Sequence, residues 1–413
     1  MKAWMKVWIL TVAFFVMTLS QGILHGADLR YKGELSFEHW YFPKDAFSPN
    51  QINMNNTAEL KFETILEIDF FKMLIAPRIK EDFSLRSRSR LLLDEGWIQF
   101  VSKVFEARLG IQQFNWGMVE SQKLVDVLNQ RDYEDDFFEP DKLGELSGRF
   151  RFAITDKMDL RLYYLTNFTK AQFPEKDSRY SLSNGFFDIS ENAIYGDSLD
   201  EWAPQYAARL FATVGPVDLG FSYFHGYNRF PSIDFLTGQS YYNVMDQAGL
   251  EVTWVIKKLI VKLEAAYRNM SQTDIARVPS RLIPDWYVAY VGGIEYTVSQ
   301  VIKSHDMTLF LEYLGDTDYG TDTVDFRLFQ NDVFLGLRYS LNDVNSRELM
   351  LGATFDLEDP REFFFLVSFK GRFKEDFIYE LRMDGVQSRE GSRLDLFKEE
   401  LRIKAKLSYS FSS

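Results

Sequence analysis

The sequence LRIKAKLSYSFSS, residues 401–413, alternates strictly between two kinds of side chain. The odd positions from 401 to 411 hold Leu, Ile, Ala, Leu, Tyr and Phe, whereas the even positions between them hold Arg, Lys, Lys, Ser and Ser. Because successive side chains of a β-strand point to opposite faces, this stretch predicts a strand with one apolar face and one cationic, solvated face.

The same alternation recurs along the chain, for example in residues 58–70, 248–256, 333–341 and 363–369. Most of these segments have about 9 to 11 residues, the length that a tilted strand needs to cross a bilayer. Strands of globular proteins usually stop at about 5 or 6 residues. The pattern predicts an all-β fold, a transmembrane antiparallel β-barrel of about 18 strands. A count of about 16 strands remains open, because the region 71–93 is difficult to divide.

The connections between the predicted strands alternate in length. Turns after even-numbered strands are short, as at 215–216 and 257–258, whereas most loops after odd-numbered strands are long, as at 115–145 and 169–203. Short turns on one rim and long loops on the other are typical of bacterial outer-membrane barrels, so we expect an outer-membrane location with both ends of the barrel at the periplasmic rim.

A barrel of this size is too wide for side chains alone to fill, so an aqueous channel or a plug is expected. The first predicted strand begins near Leu29, directly after the N-terminal segment. We therefore expect no plug domain and an open or loop-narrowed pore.

The N-terminus has the parts of a secretory signal peptide. Lys2 and Lys6 precede an apolar run of 13 residues from Val7 to Leu19, and small residues follow. This order predicts a signal peptide over 1–27, with cleavage after residue 22 or residue 27, and a barrel domain over 28–413.

Composition excludes several classes of function. The net charge of −13 argues against nucleic acid as a partner. The absence of cysteine excludes disulfides, thiolate metal sites and cysteine nucleophiles. The acidic stretches lack the spacing of a calcium-binding loop, so we assign no metal and no cofactor.

The expected partners follow from the barrel prediction. They are the lipid bilayer of the outer membrane, small solutes, and the assembly machinery that reads an amphipathic C-terminal strand ending in aromatics, here Tyr409 and Phe411. A homo-oligomer remains possible, because an oligomer contact face is as apolar as a lipid-facing one.

The polar faces of the predicted strands are rich in arginine. In residues 86–90, Arg-Ser-Arg-Ser-Arg, three guanidinium groups would form a ladder on one strand face. Such ladders attract anions, and guanidinium matches carboxylate and phosphate geometry. The alternative is that the arginines pair with lumen carboxylates and only fill the wall. The candidate pore-lining residues are Arg86, Arg88, Arg90, Arg108, Arg149, Arg151, Arg161, Arg209, Arg338, Arg382, Arg402 and Lys404.

Many acidic residues lie in the third long loop, whose end reads DYEDDFFEPDKLGE over residues 132–145. A loop of this length could fold inward, narrow the pore and face the arginine ladder across a constriction, which would create a transverse field. A solvated surface loop is the alternative. The candidate constriction residues are Trp116, Asp126, Asn129, Arg131, Asp132, Glu134, Asp135 and Asp136.

The start of this loop carries a family resemblance. ARLGIQQFNWG (107–117) followed by DVLNQRD (126–132) resembles the signature L-G-R-Q-x-x-x-W-G, then D-x-x-N-P-x-D, of an outer-membrane porin-like family of mostly unknown function, related to alginate-export-type barrels. Ile111 stands in place of the signature Arg, and Gln130 in place of the Pro. The resemblance implies a passive channel whose signature loop shapes the pore.

These observations predict a passive outer-membrane porin for small polar, anionic solutes. An export conduit for an anionic polysaccharide is an alternative, and an outer-membrane enzyme is a weaker one. After the predicted signal peptide, the histidines are His39, His225 and His305, and the sequence contains neither G-x-S-x-G nor H-E-x-x-H. We therefore do not expect an enzyme.

Overall fold

The computed structural model describes residues 28–189, 192–234, 237–270, 286–318, 327–392, 394–397 and 400–412. The predicted signal peptide, 1–27, lies outside the described residues.

Eighteen strands form one antiparallel sheet. They are β1 Asp28–Tyr41, β2 Met54–Ile68, β3 Phe71–Asp82, β4 Arg90–Val101, β5 Phe105–Gln112, β6 Glu145–Thr155, β7 Met158–Leu165, β8 Gln205–Val214, β9 Val217–Tyr227, β10 Val244–Ile256, β11 Leu259–Met270, β12 Tyr287–Ile302, β13 His305–Asp316, β14 Asn331–Ser340, β15 Glu348–Asp356, β16 Phe363–Phe373, β17 Phe377–Gln387 and β18 Leu401–Ser412.

The sheet closes on itself through its first and last strands. β18 pairs antiparallel with β1, from Lys32 opposite Ser412 to Tyr41 opposite Ile403. At this seam the Phe411 ring covers Gly33, where any side chain would collide with the ring. Closure gives every strand two hydrogen-bonded neighbours, which a sheet needs in hydrocarbon. The predicted fold class is confirmed, with eighteen strands rather than sixteen.

The two faces of the strands differ as the alternation predicts. Leu35 and Phe37 of β1 and Leu407 of β18 are exposed on the outer face, whereas Arg402 of β18 is fully buried on the inner face. The outer face is therefore apolar, and the charged residues point into the barrel. Among the described residues, no helix is long and apolar enough to span a membrane.

Connection lengths also follow the prediction. Short turns such as 156–157, 215–216 and 257–258 join even-numbered strands to the next strand, and the longest loops, 113–144 and 166–204, follow odd-numbered strands. Further short elements lie within the loops. They are the strands Arg131–Asp132, Asp141–Lys142, Ile194–Tyr195, Ser232–Asp234 and Gln239–Tyr242 and the 3₁₀ turns Arg86–Arg88, Asp200–Trp202 and Leu394–Phe397.

The predicted strand ladder of Arg86, Arg88 and Arg90 is wrong. Arg86–Arg88 is a 3₁₀ turn between β3 and β4, and Arg90 begins β4. The cause lies in Asp82, whose Oδ1 accepts the backbone N–H groups of residues 84 and 85 at 2.8 and 2.7 Å. This local capping ends the strand and starts a turn. Arg86 is exposed there, while Arg88 is buried.

The largest apolar core lies inside the barrel. Loop 113–144, which connects β5 to β6, contributes Trp116, Val125 and Leu128, and these pack against inward-facing residues such as Tyr163 of β7 and Val291 of β12. The loop therefore occupies the lumen beside the β7–β13 wall.

Candidate functional site

The signature residues of the loop fold it upon itself. Asn129 is 1% exposed. Its side-chain oxygen accepts the Phe114 N–H at 2.6 Å, and its amide donates to the carbonyls of Gln112 and Leu143 at 2.8 and 2.9 Å. One buried amide thus joins both ends of the loop to its middle.

Trp116 and Asp126 complete this internal framework. The Trp116 ring is buried and lies 5.3 Å from the Tyr163 ring, edge to face. Asp126 receives ion pairs from Lys142 at 2.6 Å and from Arg131 at 3.2 Å. The predicted constriction residues Trp116, Asp126, Asn129 and Arg131 therefore hold the shape of the loop.

The acidic segment, Asp132–Asp141, meets basic residues of the wall. Arg90 of β4 lies 2.8 Å from Asp132 and 2.5 Å from Glu134, and Arg402 of β18 lies 2.8 Å from Asp136. Further ion pairs join Lys80 to Asp135, Arg78 to Asp141 and Arg382 to Glu139.

Burial and these ion pairs act against each other on the loop carboxyls, and the net pKa shift differs between Asp136 and Glu134. Burial opposes the ionisation of Asp136, but the charges of Arg402 and Arg382 outweigh that effect and lower the pKa of its carboxyl. Burial raises the pKa of the Glu134 carboxyl, and the charge of Arg90 offsets the rise only in part.

The tip of the loop, Gly117–Leu124, reaches the opposite wall. Its backbone N–H groups donate to the carboxylates of Glu251 on β10, Glu264 on β11 and Glu312 on β13. The side chain of Glu120 adds an ion pair with Lys262 at 3.1 Å. Loop 113–144 therefore crosses the lumen from the β17–β4 side to the β10–β13 side.

Four arginines, termed the arginine group, lie side by side on the inner faces of β5, β6 and β7. Arg108 stands opposite Arg149, and Arg151 stands opposite Arg161. The side chains of Arg149, Arg151 and Arg161 are 18%, 35% and 27% exposed, so they reach the open part of the lumen.

Few acids balance the arginine group. Within the described residues, the carboxylates at ion-pair distance are Glu106, at 2.8 and 3.2 Å from the β6 guanidiniums, and Asp159, at 2.5 Å from the β7 guanidinium. Arg108 instead lies over the Trp97 ring at 3.8 Å and donates to Gln99. Three of the four cations share two anions and Arg108 has no carboxylate at ion-pair distance among the described residues, which leaves this patch positive.

A polar cavity of about 150 Å³ lies between the acidic segment and the wall of β18, β1 and β2. Lys404 projects into it and lies 3.1 Å from Glu38 and 3.9 Å from Asp136. Lys61 lies 3.3 Å from Glu59 on the same wall. Charges of both signs therefore line this cavity.

The remaining predicted pore-lining arginines, unlike the arginine group, are neutralised by nearby carboxylates. They pair with carboxylates of the wall or of the loop, as the alternative interpretation of the arginines predicts. They are Arg88, Arg90, Arg209, Arg338, Arg382 and Arg402.

The sequence alone did not identify the three glutamates that receive the tip. Glu251, Glu264 and Glu312 occupy ordinary inward positions of alternating strands, and most of their partners in the tip are backbone N–H groups. Their near-complete burial, at 2%, 0% and 2% exposed, is visible only in the structure.

Solved structures share this architecture. OpdQ of Pseudomonas aeruginosa is similar with a TM-score of 0.54 at 9% identity, over 94% of this chain and 99% of that chain. A BenF-like porin from Pseudomonas fluorescens Pf-5 has a TM-score of 0.57 at 9% identity, over 95% and 100% of the two chains. OccAB3 of Acinetobacter baumannii has a TM-score of 0.55 at 10% identity, over 94% and 99%.

The fold is that of the outer-membrane porins. At these identities the likeness concerns the fold alone. The closed barrel and its apolar outer face locate the chain in the bacterial outer membrane, as predicted. No family model and no curated protein matches the sequence. The resemblance of residues 107–132 to the porin-like signature, and its relation to alginate-export-type barrels, therefore stay predictions.

Proposed function

We propose that the protein is a passive outer-membrane porin for small polar, anionic solutes. The observation that carries the proposal is the arginine group on β5–β7, in which Arg149, Arg151 and Arg161 share Glu106 and Asp159 while Arg108 stacks on Trp97. A partly exposed, positive strip of lumen wall lowers the energy of an anion in the channel and raises that of a cation. Guanidinium groups also bind carboxylate or phosphate through two hydrogen bonds at once.

The size limit in the proposal rests on loop 113–144. The loop contacts the wall on both sides of the lumen, through Asp132–Asp141 on one side and Gly117–Leu124 on the other. A lumen crossed by a loop favours small solutes over a polysaccharide chain. The neighbours in fold include a protein described as a BenF-like porin, which also supports a channel.

Planar-bilayer recordings in asymmetric salt test the proposal. The wild-type protein should form channels whose reversal potential shows anion preference. The double variant Arg151→Gln/Arg161→Gln should lower the anion-to-cation permeability ratio, by about 2-fold to 5-fold, because two exposed cations leave the lumen wall.

The matched control is Arg361→Gln. Its guanidinium is 85% exposed in the loop between β15 and β16, outside the lumen, so the permeability ratio should not change. A cation-selective wild-type channel, or a double variant with unchanged selectivity, would contradict the anionic preference. A folded barrel that forms no channel would contradict the porin itself.

A further inference from the structure

Three buried glutamates of the lumen wall hold the tip of the loop. Glu251, Glu264 and Glu312 come from β10, β11 and β13, and their carboxylates face the same short segment, Gly117–Leu124. The tip donates one hydrogen bond to Glu251 and three each to Glu264 and Glu312. The donors are the N–H groups of Gly117 (2.8 Å), Met118 (2.5 Å), Val119 (3.0 Å), Leu124 (2.9 Å), Glu120 (2.9 Å) and Ser121 (2.8 Å) and the Ser121 hydroxyl (2.5 Å).

The wall and the tip depend on each other for these bonds. In the described part of the chain, neither Glu264 nor Glu312 forms an ion pair, whereas Glu251 also binds Arg209 at 2.8 Å. A buried carboxylate without a counter-charge requires strong hydrogen-bond donors. Consecutive backbone N–H groups form a concave anion site of this kind. The tip therefore cannot leave the wall without removing the donors of Glu264 and Glu312.

Gly117 shows how closely the tip approaches. Its φ of +87° lies in the left-handed region, and a Cβ added there would lie 2.7 Å from Glu264 Oε1. Glycine at the end of the Trp116-Gly117 pair is thus required both by the backbone conformation and by contact with the wall glutamate.

We propose that Glu264 and Glu312, assisted by Glu251, are positioning residues that set the width of the channel by holding the loop tip across the lumen. We call these three residues the glutamate clamp. The inference rests on the proposed porin function, because the width of the lumen matters only to a protein that conducts. It adds to that function the residues that fix the size limit.

Replacing the carboxylates by amides tests the clamp with little change in volume. Both oxygens of Glu264 and both oxygens of Glu312 accept N–H groups. An amide in either orientation turns its NH₂ group toward a backbone donor. The variant Glu264→Gln/Glu312→Gln should therefore release the tip and raise single-channel conductance by about 1.5-fold or more.

A second measurement does not depend on conduction. The chain has no cysteine, and Val119 in the tip is 1% exposed, so Val119→Cys is a single reporter. Its rate of reaction with a water-soluble maleimide should rise at least about 10-fold when the two Glu→Gln changes are added. Heat-modifiable gel migration checks that each variant has a folded barrel.

The matched control is Glu380→Gln, which removes another inward carboxylate, on β17, opposite Lys406 and Lys370. It should leave conductance and Val119→Cys labelling unchanged. Folded clamp variants with wild-type conductance and slow labelling would overturn the clamp. Fast labelling in a protein that never conducts would support the clamp and contradict the porin function.

Discussion

The two parts of the loop that reach the wall are held by opposite chemistry. In the acidic segment, Asp132–Asp141, carboxylates of the loop meet arginine and lysine side chains of the wall. In the tip, Gly117–Leu124, carboxylates of the wall meet backbone N–H groups of the loop. The acidic segment therefore contributes its charges, whereas the tip contributes mainly its main chain, with the Ser121 hydroxyl and the Glu120 carboxylate as its polar side-chain contacts to the wall.

This difference decides which substitutions each part tolerates. A backbone N–H survives every substitution except proline, so the tip should accept most changes of its own side chains while depending on the wall glutamates. Ion pairs depend on both partners, so the acidic segment should respond to changes in the loop as well as in the wall.

Removing Arg402 should have the largest effect on stability. Arg402 is fully buried, contacts Asp136 at 2.8 Å and Asp384 at 3.0 Å, and lies 4.4 Å over the Trp40 ring. Arg402→Met keeps much of the volume but leaves buried carboxylates without this partner, which should lower the free energy of unfolding by about 3–5 kcal/mol. Urea unfolding in detergent, followed by tryptophan fluorescence, measures the change.

Arg361→Met is the control for Arg402→Met. It removes an arginine that is 85% exposed and pairs with Asp359 at 2.6 Å, so the free energy of unfolding should change little. Equal stability losses in the two variants would mean that the ion pairs of the acidic segment contribute no more than a surface pair.

Asn129 lies between the two parts and joins both ends of the loop to its middle, so its removal should affect both parts. Asn129→Ala leaves the Phe114 N–H and the carbonyls of Gln112 and Leu143 without this side-chain partner. The expected loss is about 1–3 kcal/mol, together with faster labelling of the Val119→Cys reporter. Loss of stability with unchanged labelling would show that the tip is held independently of the rest of the loop.

The barrel was predictable from the sequence because the alternation of apolar and polar residues and the lengths of the turns can both be read from it directly. The alternation in residues 401–413 correctly predicted which face of β18 points outward. Short turns such as 215–216 correctly predicted which strands are neighbours. The same alternation led to the wrong prediction of a strand ladder at residues 86–90. Their alternation imitates a strand, but Asp82 caps the backbone beyond β3 and turns the chain.

The contacts between the loop and the wall were predictable only where they are formed by charged side chains on both sides. An acid-rich loop and an arginine-rich wall are visible in the sequence, and the structure brings Asp136 and Arg402 together. The contacts of Glu264 and Glu312 are not visible, because any residue of the tip offers the same backbone donor. Sequence patterns identify strand faces, whereas the choice among inward glutamates depends on the path of the loop.

The pH dependence should be the smallest effect. The lowered pKa of Asp136 means that its contribution to docking is fully present above the ordinary pKa of an aspartate and is lost only as the pH falls through the lowered value. The pKa of Glu134 is raised by burial, so this carboxyl takes up a proton first, and its protonation favours the docked, buried state. Neither group should release the acidic segment in mild acid.

The clamp variant Glu264→Gln/Glu312→Gln makes this behaviour easier to detect, because it weakens the hold on the tip and leaves the ion pairs of the acidic segment as a larger share of the contacts between the loop and the wall. Its single-channel conductance should stay constant between about pH 7 and pH 5, which lies above the ordinary pKa of aspartate. Adding Asp136→Asn removes the carboxylate whose pKa is lowered and leaves Asp384 as the remaining close partner of Arg402. The single-channel conductance of this triple variant should fluctuate at both pH values. A conductance that rises in the clamp variant as the pH falls to about 5 would show that other loop carboxylates, and not Asp136, hold the acidic segment to the wall.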